Sequence, residues 1–189
     1  MNRTKLALFV AILALAFFPA RSPAAQRAYA KIEGSKQGVF KGEAVRIAGR
    51  DYIPVIQFGY EITSPRDAAT GLPTGKRQHK PIVITKTLDA SSPQIFQAMI
   101  TNETLTTVNI DFVTTNTEGK ELVYYTIALT NATIVDVHQH MSLPETVPAG
   151  SSTVPTEPME DVSIVFQKIS VTSTVGQSTG TDSWSNAVQ

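Results

Sequence analysis

The sequence predicts a mainly β domain in which antiparallel strands form a closed or nearly closed barrel, with one short helix against it. About six or seven segments alternate apolar and polar residues in the manner of half-buried strands. One segment has the spacing of a short amphipathic helix, and its apolar stripe needs a sheet to cover it. Closure is favoured because it removes exposed sheet edges. Several strands are apolar on both faces, so their outer face must meet the helix, a neighbouring subunit or both.

A strand–helix–strand unit in residues 80–113 is the part around which we expect the other strands to be arranged. Residues 81–87 are rich in β-branched side chains and alternate as a strand, with Ile82 and Ile84 on one face. Residues 107–114 resume this pattern after the helix. The side chains of that strand predicted to face the core are Val108, Ile110 and Phe112.

The helix of this unit is predicted to begin at Ser91, Ser92 and Pro93, because serine can cap a helix and proline fits its first position. Asn102 should end it. The apolar residues spaced to form its sheet-facing stripe are Ile95, Phe96, Met99 and Ile100. If Phe96 and Phe112 are both core residues, alanine at either position should destabilise the fold by roughly 3–5 kcal/mol.

The other strands are predicted at residues 28–33, 51–63, 121–129 and 159–172. Residues 131–141 continue the alternation, either as a bent extension or as a separate strand. One face of the second of these strands is predicted to hold Ile56, Phe58, Tyr60 and Ile62.

Three polar segments connect or follow these strands. Residues 64–80 lack an apolar period and contain several prolines and glycines, and a loop of this length in a compact domain is usually functional or disordered. Residues 142–158 are rich in proline, which gives them an extended character. The Ser-, Thr- and Gly-rich residues 173–189 are predicted to be a flexible C-terminal tail.

Residues 1–25 have the three parts of a secretory signal peptide. Arg3 and Lys5 give a positive start, and residues 6–18 are an apolar run too short to span a membrane comfortably. Cleavage after Ala24 or Ala25 fits the small-residue rule and predicts a barrel domain of residues 26–172. We expect no stable membrane insertion once the signal is removed. A buried amphipathic helix is the alternative, disfavoured because the run is apolar on every side.

Composition excludes several classes of function. The chain has no cysteine, so disulfides, thiolate catalysis and sulfur-ligated metal are ruled out. It carries 16 basic and 16 acidic residues. Residues 1–25 hold three of the bases and no acid, so their removal leaves 13 bases against 16 acids, a net charge of −3. A nucleic-acid-binding protein should carry a basic face, so no nucleic-acid partner is expected.

Two sequence patterns partly match known motifs, one for phosphate binding and one for metal binding, but neither is sufficient to predict a site. The segment GLPTGKR at residues 71–77 is one residue short of a phosphate-binding loop and lacks the helix that should follow it. Asp136, His138 and His140 share one strand face, but neighbouring positions on that face are roughly 7 Å apart, too far for three ligands to converge without a bend. We therefore predict no catalytic residue, no metal or cofactor site and no enzymatic activity.

Five segments resemble the Hcp family, the tube proteins of the type VI secretion system, in order and spacing. They are YAKIEGSKQGVFKGE (residues 29–43), SPRDAATGLPTGKRQHKPIVITK (64–86), DASSPQIFQAMITNETLTTVNIDF (89–112), TIALTNATIVDV (126–137) and PMEDVSIVFQKISVT (158–172). The similarity extends to TGTDSW at residues 179–184.

This resemblance implies a two-sheet antiparallel β-barrel flanked by a helix at residues 92–100. It also implies a homohexameric ring that stacks into a tube, expelled with a spike by a contractile sheath and sheltering effector proteins as cargo. In the family, the loop at this position takes part in contacts between rings. The resemblance therefore implies the following ring-stacking residues: Arg66, Asp67, Gly71, Pro73, Gly75, Lys76, Arg77 and His79.

The signal-like segment departs from the family pattern, because the tube assembles in the cytoplasm and leaves through the secretion machine. If the segment is used, we expect a secreted protein that travels through the periplasm. Its function would then be that of an independently exported ring acting as a periplasmic or extracellular binding module. If it is not used, cytoplasmic tube assembly is expected.

Overall fold

The computed structural model describes residues 27–42, 45–47, 50–116, 118–142 and 157–184. The predicted signal peptide and most of the predicted proline-rich loop lie outside these residues, so both stay predictions. Within the described ranges, no helix is both long and apolar enough to cross a bilayer.

The described chain consists mainly of strands with one short helix, which confirms the predicted fold class. The helix, α1, spans Ser92–Ile100. The strands are β1 (Arg27–Gly34), β2 (Gly38–Val39), β3 (Val45–Ile47), β4 (Arg50–Val55), β5 (Gln57–Gly59), β6 (Ile62–Thr63), β7 (Gln78–His79), β8 (Ile82–Thr87), β9 (Leu105–Thr115), β10 (Glu121–Ser142), β11 (Glu157–Ser173) and β12 (Ser178–Ser183).

The strands form one ten-stranded antiparallel sheet in the order β3-β4-β1-β9-β10-β11-β8-β5, with β2 beside β1 and β12 beside β11. A separate ladder joins β6 to β7. Among the described residues no ladder joins β4 to β5, but Ile56 alone separates them in the chain, and its N–H donates to Thr85 O at 2.8 Å. Apart from β6 and β7, the described strands therefore form one continuous sheet and not the two sheets that the resemblance implies. Over these residues the ladder does not close into a barrel, and β4 and β5 are joined only through Ile56.

Two long strands dominate the sheet. β10 has 22 residues, so residues 131–141 are an extension of the preceding strand and not a separate one. A register shift between Ile134 and Asp136 marks a bulge that leaves Val135 unpaired with β11. At the C-terminal end, residues predicted to be a flexible tail form β12, which pairs with β11 from Ser173↔Ser178 to Lys168↔Ser183.

Buried residues from β1, β4, β8, β9, β10, β11 and α1 form the main core cluster, as the alternating pattern predicts. Ile82, Ile84, Val108 and Ile110 are fully buried in it. Phe112 is half-buried against the same cluster and makes an edge-to-face contact with Phe58. Tyr29, Tyr52 and Val113 form a second, smaller cluster.

The helix begins and ends where the sequence predicts, but its sheet-facing stripe is different. Ser92, Ile95 and Ala98 are buried. Phe96 and Ile100 are 53% and 55% exposed, so their assignment to the stripe is wrong. Alanine at Phe96 should therefore not carry the large cost of a core truncation.

A buried polar network joins the first turn of α1 to β8 and β11. Ser92 Oγ donates to Glu160 Oε1 at 2.8 Å, and Lys86 Nζ lies 2.9 Å from the same oxygen and 2.8 Å from Asp89 Oδ1. The Lys86 and Glu160 side chains are 0% exposed. Burial alone would raise the pKa of Asp89, but hydrogen bonds from Lys86 and Ser91 outweigh it and lower that pKa. The buried face of α1 is centred on Ile95, with Ser92 and Ala98 on either side of it. Phe96 follows Ile95 in sequence and lies about 100° around the helix from it, so it points outward.

The predicted long strand at residues 51–63 is broken into three short ones. Ile53 and Val55 are buried before the break, whereas Ile56 is 49% exposed. The bend at Ile56 reverses the alternation, so Phe58 and not its neighbours packs on the core. Ile56 therefore does not share a face with Phe58, whereas Tyr60 packs on the core with Phe58 as predicted. Ile62 is exposed because it lies in β6, which pairs only with β7 in a separate ladder.

Candidate functional site

The long loop predicted at residues 64–80 is a β-hairpin arm. Its two sides pair through Ile62↔His79 and Thr63↔Gln78, and Lys80 N–H donates to Glu61 O at 3.0 Å. We call residues 62–79 the arm. Residues 71–76, at and just after its tip, are all exposed to solvent.

The tip of the arm is closed by its own hydrogen bonds. Arg66 and Pro73 form an isolated antiparallel bridge. Asp67 N–H donates to Leu72 O, and Gly71 N–H donates to Asp67 O, both at 2.9 Å. Gly71 has a φ of 71°, a left-handed conformation that glycine adopts without a steric cost. The turn therefore has a defined shape although it is exposed.

The side chain of Asp67 completes this turn. Its Oδ1 accepts from Thr70 N–H at 2.7 Å, Thr70 Oγ1 at 2.8 Å and Ala69 N–H at 3.1 Å. Hydrogen bonds from the Thr70 hydroxyl and from the two backbone N–H groups lower the pKa of Asp67. Arg66 Nη1 donates to Gly71 O at 3.1 Å on the other side of the tip.

The base of the arm is fixed to β12 by Asp182. Arg77 donates to both carboxylate oxygens of Asp182 in a bidentate ion pair. The carboxylate can only accept, so His79 Nε2 donates to Asp182 Oδ2 at 2.9 Å. His79 Nδ1 then faces the Tyr60 hydroxyl at 2.5 Å.

Aromatic rings surround this polar contact. The His79 ring is stacked on Tyr60 with centroids 6.1 Å apart, and it meets Phe166 and Trp184 edge-on at 5.4 and 5.9 Å. The His79 side chain is 5% exposed as a result. We call Tyr60, Arg77, His79, Asp182 and Trp184 the base cluster.

The surroundings of the base cluster shift the pKa values of two of its residues, Asp182 and Tyr60. Hydrogen bonds from Arg77, and to a smaller extent from His79, lower the pKa of Asp182 to about 2 despite the opposing effect of desolvation. Burial, with the Asp182 charge nearby, raises the pKa of Tyr60, so Tyr60 stays a donor. The arm is thus joined to the sheet by packed rings and by an ion pair that is charged at neutral pH.

The structure divides the predicted stacking residues into two groups. Those at or near the exposed tip are Arg66, Asp67, Gly71, Pro73, Gly75 and Lys76. Arg77 and His79 belong to the base cluster and face β12. Asp182 and Trp184 are not among the predicted site residues, although both lie in the TGTDSW segment, because the Ser-, Thr- and Gly-rich composition of that segment predicts a flexible tail.

Comparison with known proteins places the chain in a family. The family model described as "Type VI secretion system effector, Hcp" matches residues 29–172. The "Major exported protein" of Pseudomonas aeruginosa is 35% identical over 170 residues, which covers 85% of this chain and 96% of that protein. This chain belongs to the Hcp family. The predicted resemblance is confirmed.

Solved Hcp structures have the same architecture. A crystal structure of an Hcp protein matches this Hcp chain with a TM-score of 0.74 and 27% identity, covering 86% of this chain and 100% of that one. Secreted protein Hcp3 from Pseudomonas aeruginosa matches with a TM-score of 0.64 and 31% identity, over 86% of this chain and 100% of that one. This Hcp protein is therefore a structural tube protein of type VI secretion and not an enzyme.

Proposed function

We propose that this Hcp protein assembles into hexameric rings that stack into the expelled tube, with the tip of the arm contacting the adjacent ring. The arm is the observation that carries the proposal. Its base is joined to β12 by the Arg77–Asp182 pair, while its tip is exposed and internally hydrogen-bonded. A preformed projection of this kind loses little conformational entropy on docking.

The tip also offers an apolar contact. Leu72 is 64% exposed at the end of the hairpin, while the polar groups of Asp67 and Gly71 beside it are already hydrogen-bonded within the tip. Contact with a second copy would bury Leu72 without stripping water from unsatisfied backbone groups. Arg66 and Lys76 would supply polar contacts at the edge of that surface.

Contact within a ring is supported by a second exposed apolar surface. Phe96 and Ile100 lie one turn apart on the outer face of α1, and Leu88 is 37% exposed just before the helix. Exposed apolar side chains grouped in this way are typical of a subunit contact. A neighbouring protomer in the ring is the occupant we assign to this face.

The remaining partners follow from the proposed tube. A stacked tube would pass through a sheath, end at a spike protein and carry effector proteins in its channel. The formal charge of the chain without its first 25 residues is −3, and no nucleic-acid partner is proposed.

The test is electron microscopy and sedimentation of the purified chain at increasing concentration, with Leu72→Ser as the variant. We expect rings in both proteins and stacked tubes in the wild type alone. Val175→Ser is the matched control, because Val175 is 81% exposed in the turn before β12, away from the arm. Tubes of normal length in Leu72→Ser would reject the role of the tip, and a monomeric wild type at every concentration would reject ring assembly.

A second candidate function is that of an independently exported ring that binds a partner in the periplasm or outside the cell. The signal-like residues 1–25 favour it. N-terminal sequencing of the protein from periplasm and medium, in cells with and without a sheath, separates the two. A terminus near Gln26 in sheath-free cells supports independent export, whereas sheath-dependent release of the uncleaved chain rejects it.

A further inference from the structure

Two histidines and an aspartate come together on the surface of β10 and β11. His138 and His140 lie two residues apart on β10, with their rings stacked at a centroid distance of 5.3 Å and an interplanar angle of 22°. Asp161 lies directly opposite His138 on β11. Its Oδ2 is 3.8 Å from His138 Nδ1 and 3.4 Å from His140 Nε2. In the described part of the chain, these three residues offer ligand atoms that all lie within 4.8 Å of one another.

We propose that His138, His140 and Asp161 bind a divalent transition-metal ion of the zinc class. Two ligands bound tetrahedrally to zinc at about 2.0–2.1 Å lie about 3.3 Å from each other. The observed separations of 3.4 and 3.8 Å exceed this value by a few tenths of an ångström, which small side-chain rotations can supply. The ligand atoms of the two histidines lie within 4.8 Å of each other, so the two imidazole rings must also rotate toward a common point to close the site around an ion.

The third ligand is held by a neighbouring strand. Thr85 on β8 donates to Asp161 Oδ1 at 2.6 Å, which leaves Oδ2 facing the two imidazoles. Hydrogen bonds of this kind orient metal ligands and raise affinity. A single exposed strand would not provide such support, whereas three adjacent strands, β8, β11 and β10, do.

The donor set selects the class of ion. Two imidazole nitrogens and one carboxylate oxygen suit zinc, copper, nickel or iron(II), whereas magnesium and calcium prefer oxygen donors alone. The His138 side chain is 68% exposed, so an ion can enter from solvent, and its remaining coordination positions are open to water. The proposal concerns one protomer and does not depend on ring stacking.

The strand register explains why the sequence argues against this site. Along β10 alone, Asp136, His138 and His140 are too widely spaced to converge. Asp136 is exposed, pairs with Ser163 and is not part of the group. The ligand that completes the group comes from the partner strand, and Asp136 therefore serves as a matched control for Asp161.

The test is isothermal titration calorimetry of the untagged full chain with zinc sulfate, together with the visible absorption of the chain titrated with cobalt chloride. We expect one saturable zinc site per chain and cobalt d–d bands that zinc abolishes. His138→Ala and Asp161→Asn should each weaken zinc binding by about tenfold or more, and Asp136→Asn should leave it unchanged. Magnesium chloride should not compete.

Three outcomes would overturn the proposal. They are the absence of saturable zinc binding up to millimolar zinc, unchanged affinity in His138→Ala, and a loss of affinity in Asp136→Asn as large as in Asp161→Asn. Circular dichroism checks that each variant is folded. If Asp161→Asn fails to fold, the zinc affinity of His138→Ala still tests the proposal, because His138 is exposed and its replacement should not disturb the fold.

Discussion

Replacement of Asp182 by asparagine should loosen the base of the arm. The ordinary carboxyl pKa of 3.8 falls to about 2 for Asp182. That fall corresponds to about 2 kcal/mol in favour of the ionised form in the folded protein. Because 19% of the side chain is exposed, solvent screening reduces the contribution, and we expect Asp182→Asn to lower the free energy of unfolding by about 1–2 kcal/mol at pH 7.

The lowered pKa of Asp182 also determines how the stability difference between wild type and Asp182→Asn depends on pH. A carboxyl whose pKa is lower in the folded state stabilises the fold above its unfolded pKa and ceases to do so as pH falls through the folded pKa. The stability difference between wild type and Asp182→Asn should therefore be constant above about pH 5 and disappear between the pKa of 3.8 and about 2.

Urea denaturation across this pH range measures the effect, and the chain contains its own local probe. Its single tryptophan, Trp184, contacts His79 in the base cluster. In the variant, tryptophan fluorescence should change at a lower urea concentration than far-UV circular dichroism, because the arm base opens before the sheet. Asp136→Asn, at an exposed position on β10, should match the wild type. An unaltered urea midpoint and unaltered Trp184 emission in Asp182→Asn would refute the assignment.

Two other predictions concern the fold. Lys86→Met should lower the free energy of unfolding by about 3–5 kcal/mol, because Glu160 would keep a buried charge without its partner. Lys120→Met, in an exposed turn, should change it by less than about 0.5 kcal/mol, and equal effects would contradict the buried network. In the monomeric protein, Ile95→Ala should cost about 2–5 kcal/mol and Phe96→Ala less than about 1 kcal/mol. A loss for Phe96→Ala as large as that for Ile95→Ala, in thermal denaturation at concentrations where the chain is monomeric, would restore the original helix stripe.

Much of the fold is predictable because local patterns determine it. Strand alternation located β1, β8, β9, β10 and β11 to within a few residues, and the serine–proline start located α1. Asn102, with a φ of 48°, ends the helix in a conformation that asparagine tolerates better than most residues. These features depend on neighbours in sequence, which a single sequence displays directly.

The errors arose where a contact joins distant parts of the chain. Alternation puts Lys86 on the same face as Ile82 and Ile84, but it does not show that Lys86 pairs with Glu160, 74 residues away, or that Glu160 also accepts from Ser92 of the helix. Arg77 and Asp182 are 105 residues apart. Neither pairing leaves a periodic signal, because side-chain partners across strands are set by sheet register.

Substitutions at the base of the arm and at its tip should have different effects. Arg77 and His79 stabilise the protomer through β12, so their replacement should affect folding and stacking together. Leu72 and Arg66 contact little of their own protomer beyond the turn, so replacement there should alter assembly with little change in protomer stability. Both groups share one hairpin, so deletion of residues 72–78 removes Arg77 and the tip at once. Point substitutions at Leu72 and Asp182 are therefore needed to distinguish a stacking contact from a folding contact.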